Sequence, residues 1–121
     1  MDLDLFSTRD LLLFCQLLHI NGLIDRSSIS PENEKFQQTV KEWCNHASTQ
    51  LSIKQGSLRA QIPLTCQQAC DLYDSMLESK TDCVNTTDLA NVYYKQRLEQ
   101  LESLINTYRD EFDGVLESSA S

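Results

Sequence analysis

At 121 residues, with 40% hydrophobic and 23% charged side chains, the chain matches one modest domain with enough apolar material for a core, which argues against wholesale disorder. Eighteen Asp and Glu against ten Lys and Arg leave a formal net charge of -8, which opposes contact with phosphate backbones, so neither nucleic acid nor an anionic membrane is an expected partner. Three Gly and two Pro are too few for the turns of a small β-sandwich, and an all-α fold is expected.

The first helix is expected from Ser7 or Thr8 as N-cap, with Asp10 in its first turn, to a stop at Asn21-Gly22. Within it Leu11, Leu12, Leu13, Phe14, Cys15, Leu17, Leu18 and Ile20 occupy nearly the whole circumference, so the helix has to be enclosed by its own domain or by a partner. The run from Leu11 to Leu18 is broken by Gln16 and falls short of the roughly 20 apolar residues a bilayer requires, and Met1-Asp2-Leu3-Asp4 is acidic where a secretory leader is basic. Neither a membrane span nor a signal peptide is expected, and the compartment is expected to be intracellular.

Ser30-Pro31-Glu32 predicts the start of a second helix, because Pro suits the first helical position and an acid suits the positive end. Phe36, Val40, Trp43, Cys44, Ala47 and Leu51 then recur at spacings of three and four, an amphipathic face with Trp43 as its largest anchor. The polar stretch from Ser52 to Gln61, with Gly56 inside it, reads as an irregular connection. A third helix is expected from Thr65, with Gln68 completing a capping box and Leu64 stapling onto Ala69, to about Glu78. Its buried stripe is Ala69, Leu72, Tyr73, Met76 and Leu77. The candidate core is therefore Leu11, Phe14, Leu18, Phe36, Val40, Trp43, Leu72, Tyr73 and Met76.

After a loop over residues 81–87, with Thr87 as cap, the last segment carries the clearest pattern. Tyr94, Leu98, Leu101, Ile105, Tyr108, Phe112 and Val115 are spaced alternately by four and three, a heptad stripe flanked by Lys95, Arg97, Glu99, Glu102 and Arg109. With Leu89 and Val92 it predicts a helix over residues 88–117, about 45 Å long and longer than the bundle of residues 1–80 is wide. Part of it is expected to project, leaving an apolar stripe for a partner helix or a second copy to cover. Residues 118–121 read as a frayed tail.

Chemistry finds little support. Cys66 and Cys70, one turn apart, with Cys44 and His46 suggest a zinc site, but their helical stripes suit small core residues better than turn-borne metal ligands. Five cysteines cannot all pair within one chain, and no disulfide framework is expected. His19 and His46 fall near helix ends without a nucleophile turn, and no glycine-rich phosphate loop is present. Asp71 with Asp74, and Asp110 with Glu111 and Asp113, read as solvated helix faces. Asn85-Thr86-Thr87 matches a glycosylation acceptor, which has no use without secretion. Neither an enzyme, a cofactor nor a small-molecule substrate is expected.

Three blocks carry a resemblance: Phe6-Ser7-Thr8 leading into Leu11-Leu12-Leu13-Phe14-Cys15-Gln16, then Leu64-Thr65 with Leu72-Tyr73, and finally the run from Leu89 to Leu101. In this order they resemble small fungal chromatin-complex subunits, specifically the small Swc-type accessory subunits of the Swr histone-variant-exchange remodeller and the N-terminal part of bromodomain subunits of the related histone acetyltransferase. The resemblance implies a compact SANT-like helical unit followed by a long helix, a nuclear location and contacts with other subunits of a multi-subunit assembly. Two departures qualify it: no bromodomain is expected after the long helix, and the stretch from Ser52 to Gln61 matches no block. The third helix carries Asp71, Asp74 and Glu78 where a DNA-reading unit would be basic, which favours protein contact. A self-associating helical adaptor of another complex, from trafficking or cytoskeletal machinery, is the competing expectation.

Overall fold

The computed structural model describes the backbone of residues 2–120 and the side chains of residues 2–109. Those residues form five α-helices, α1 (Thr8–Ile20), α2 (Glu34–Asn45), α3 (Ala47–Gln55), α4 (Cys66–Ser79) and α5 (Thr86–Ala120), with 3-10 turns at Leu3–Leu5 and Arg26–Ser28 and no strand.

Local chemistry sets most of the boundaries. Ser7 and Asp10 form a reciprocal capping box at the start of α1. Its end is a Schellman turn: Gly22 takes a φ of +76°, its N–H donates to the His19 carbonyl, and the Leu23 N–H donates to the Leu18 carbonyl at 2.9 Å. That turn drives Leu23 back into the core beside Leu18. At α4, Thr65 and Gln68 make the expected capping box, and Leu64 and Ala69 are both buried as a staple requires.

Four boundaries differ from expectation. The second helix begins at Glu34, because the Asn33 carboxamide accepts from the Lys35 and Phe36 N–H groups, while Ser30 to Glu32 form a turn ahead of it. The helix also breaks at His46, whose ring Nδ1 caps α3 by accepting from the Ser48 N–H at 3.1 Å. Gln50 reaches back to the Cys44 carbonyl left open by the break. The apolar face read through Ala47 and Leu51 consequently stops at Cys44, and both later residues are exposed. The stretch read as irregular from Ser52 is helical to Gln55, where Gly56 at φ +77° ends it. Finally, α5 starts at Thr86, one residue before the expected Thr87 cap.

Trp43 occupies the centre of the core at 0% exposure. The Phe14 ring meets it edge-on at 5.3 Å, Phe6 tilts against it at 5.9 Å, and its indole N–H donates to the Asp10 carbonyl at 2.9 Å. Leu11, Leu18, Phe36, Val40, Leu72, Tyr73 and Met76 are buried in the same cluster, joining α1, α2 and α4. On the surface, the Arg26 guanidinium forks onto Asp74 at 2.6 and 2.9 Å. It tethers the loop after α1 to α4, and the hydrogen bond raises the guanidinium pKa above its ordinary value.

Candidate docking face of the long helix

The long helix is fixed at its base by polar groups. Asn85 Oδ1 accepts from the Asp88 N–H at 2.9 Å and Asp88 accepts from the Val84 N–H at 3.1 Å, so two side chains satisfy backbone donors where the helix starts. Thr86 is fully buried, and its hydroxyl donates to the Leu23 carbonyl at 2.6 Å. With that hydrogen committed, the Tyr73 hydroxyl 3.0 Å away is the donor to Thr86. Burial raises the Tyr73 pKa above its ordinary value.

From this base α5 runs antiparallel to α1. Near its start the Thr86 N–H donates to the Ile24 carbonyl, and further along the Gln100 carboxamide donates to Thr8 Oγ1 at 3.0 Å. One face of α5 packs into the bundle through Thr86, Leu89 and Tyr93, with Lys80 lying 5.5 Å from the Tyr93 ring centroid. Tyr93 is a core residue that the heptad stripe does not contain. The signal for it is a second row, Thr86, Leu89, Tyr93, Gln96 and Gln100, with the same alternation of three and four but polar at its far end.

A second face, about a third of a turn round the helix, carries the stripe. Tyr94 is 57% exposed, Leu98 43%, Leu101 38%, Ile105 53% and Tyr108 61%, and every residue from 101 to 109 is exposed around the whole helix. Beyond Gln100 the helix has therefore left the bundle. Phe112, Val115 and the tail expected from residue 118 lie outside the residues whose side chains are described. Leu104, 49% exposed beside the stripe, adds apolar surface that the strict spacing misses.

At the bundle end the stripe opens into a groove of about 520 Å³ between α1 and α5, lined by Gln16, His19, Ile20, Thr87, Ala90, Asn91 and Tyr94. Ile20, read from sequence as part of an enclosed helix, is 77% exposed at its rim. The Schellman turn explains this: ending α1 at Ile20 leaves its last turn on the open side of α5 while Leu18 and Leu23 take the inward positions.

Of the residues weighed for chemistry, His19 lines this groove, whereas the cysteines and His46 are placed on other segments. Cys44 and Cys70 are buried and Cys66 half-buried, and burial raises the Cys44 and Cys70 thiol pKa values. His46 is engaged as a helix cap. Among the described residues no group of three or more His, Cys, Asp or Glu is placed to hold a metal ion, and no helix is long and apolar enough to cross a membrane. Asp71, Asp74 and Glu78 line a polar cleft on α4 with Gln68 and Ser75, Asp74 being already committed to Arg26.

No family model, curated protein or solved structure matches the chain.

Proposed function

We propose that the chain is a non-catalytic structural or regulatory subunit of a nuclear chromatin-remodelling assembly, acting through protein contacts made by the outer face of α5. The observation that carries the docking part of this reading is the row of five large apolar residues, Tyr94, Leu98, Leu101, Ile105 and Tyr108, on the solvent side of a helix that continues past its own bundle. Burying a fully exposed side chain of this size contributes about 1.5 to 3 kcal/mol, and the roughly half-exposed residues of the row retain about half of that each, so a partner that covers the row is favoured over solvent. The assignment to a remodelling complex rests on the resemblance of the three sequence blocks, with the net charge of -8 favouring protein over nucleic-acid contact.

Affinity purification of the tagged full chain from cells tests this reading. Recovery of a remodelling ATPase with actin-related proteins, lost in Leu101→Asp with Ile105→Asp and kept in Glu99→Ala, is the expected result. Recovery with cytoplasmic machinery instead overturns the chromatin assignment. Unchanged recovery in a double variant that circular dichroism shows to be helical overturns the docking role of the stripe.

A further inference from the structure

We propose that His46 makes the joint between α2 and α3 a pH-responsive device: the neutral ring caps α3, and a proton on Nδ1 releases the cap and frays the first turn of that helix. The proposal is independent of the docking reading of α5. The chain bends at this joint without Gly or Pro, so the bend depends on how its backbone groups are satisfied. His46 is extended there, at φ -62° and ψ 142°, and serves both helices. Its N–H donates to the Trp43 carbonyl at 3.3 Å, its carbonyl accepts from the Gln50 N–H at 3.0 Å, and its ring Nδ1 accepts from the Ser48 N–H at 3.1 Å.

An accepting Nδ1 requires the neutral ring with its hydrogen on Nε2. A proton on Nδ1 sets two donors against each other at 3.1 Å, and the ring, which is exposed, swings into water. Thr49 in the same turn is fully buried, so the fraying reaches the core, while Ser52 stays bonded to Arg9 and holds the rest of α3. The charged groups around the joint do not reverse this sign. On α2, Glu42 lies four residues back and favours the proton, but an exposed pair at that spacing contributes less than a helix cap, and Lys41 beside it opposes the proton. Lys54 is the charged residue of α3 and also opposes it. On α1, which packs against α3, Arg9 is bonded to Ser52 and Asp10 to Ser7. Among the described residues no carboxylate lies within ion-pair distance of the ring. The end of α2 and the start of α3 meet at His46 with opposed dipoles, so the contact with the Ser48 N–H decides the response.

Amide hydrogen exchange of the full chain, read by nuclear magnetic resonance at pH 7.5 and pH 5.0, tests the cap, because histidine side chains change charge between these values. After correction for the intrinsic exchange rate, protection of the Ser48 amide is expected to fall about tenfold from the higher to the lower pH, the loss of one cap. The Gln68 amide, bonded to the Thr65 hydroxyl in the first turn of α4, has no titrating partner and is expected to keep its protection. His46→Asn places a carboxamide oxygen in the cap that does not titrate, and is expected to hold Ser48 equally at both pH values. His19→Gln is expected to respond as wild type does. Wild-type protection that is the same at both pH values overturns the proposal. So does an acid loss undiminished in His46→Asn or abolished in His19→Gln, since either places the titrating group elsewhere. A ring hydrogen on Nδ1 at pH 7.5, read from the imidazole nitrogen shifts, overturns it as well.

Discussion

Several buried side chains act through a single polar atom. Thr86 is the clearest: it has no large apolar surface, yet its hydroxyl closes the Leu23 carbonyl and receives the Tyr73 hydroxyl inside the core. Thr86→Val keeps the shape and removes both bonds, leaving a carbonyl and a phenol unpaired, so it is expected to cost about 1 to 3 kcal/mol by urea denaturation. Trp43→Ala removes the aromatic packing of Phe6 and Phe14 and frees the Asp10 carbonyl, and about 3 to 5 kcal/mol is expected, enough to threaten folding at this size. The two differ in legibility. Trp43 stands out in the sequence as the one Trp on an apolar face, whereas nothing in Asn85-Thr86-Thr87 marks the middle residue as buried. Thr39 and Ser52 are buried in the same way, and a hydrophobic pattern passes over both because their place is fixed by hydrogen-bonding groups from distant segments, Asn21 donating to Thr39 at 2.9 Å and Arg9 donating to Ser52 at 2.6 Å.

At the scale of elements, caps were legible and a break was not. Ser7 with Asp10, Thr65 with Gln68 and Asn21-Gly22 act through neighbours five residues away or fewer, so the sequence contains the whole interaction. The break at His46 has neither Gly nor Pro, and the apolar period runs on through it to Leu51. After the break the helix turns Thr49 and Ser52 inward, Ser52 onto Arg9, and leaves Leu51 outside, a choice made by tertiary packing. The long helix shows both sides of this. Its outer stripe was readable because it repeats every seven residues, but which of the adjacent Tyr93 and Tyr94 enters the core depends on where α1 lies. The two tyrosines therefore give a sharp contrast. Tyr93→Ala is expected to cost about 3 kcal/mol or more in a thermal or urea melt, and Tyr94→Ala less than about 1 kcal/mol in the isolated monomer.

For the molecule as a whole, four of its five thiols are buried, and that makes stability depend on alkaline pH. Cys15 in α1, Cys44 in α2 and Cys83 before α5 sit on three different segments around one core, and desolvation raises each thiol pKa above its ordinary value, most strongly at Cys15, which is fully enclosed. In the unfolded chain a thiol loses its proton near pH 8.5, while the folded chain keeps Cys15 protonated well above that. Folding then binds protons in the window above about pH 8.5, so the stability contributed by these groups is complete below it and falls as pH rises, by about 1.4 kcal/mol per pH unit for one fully shielded thiol. The phenols of Tyr73 and Tyr93, raised by the same desolvation, join above about pH 10. The net charge of -8 also grows more negative with pH and loosens any compact state, so the decline alone does not isolate the thiols. Cys15→Ala does: it keeps the surface charge, starts less stable at pH 7.5, and is expected to lose less between pH 7.5 and 9.5 than wild type does. Urea midpoints at the two pH values measure the difference, and equal losses in the two proteins would mean that water reaches Cys15 in the folded state.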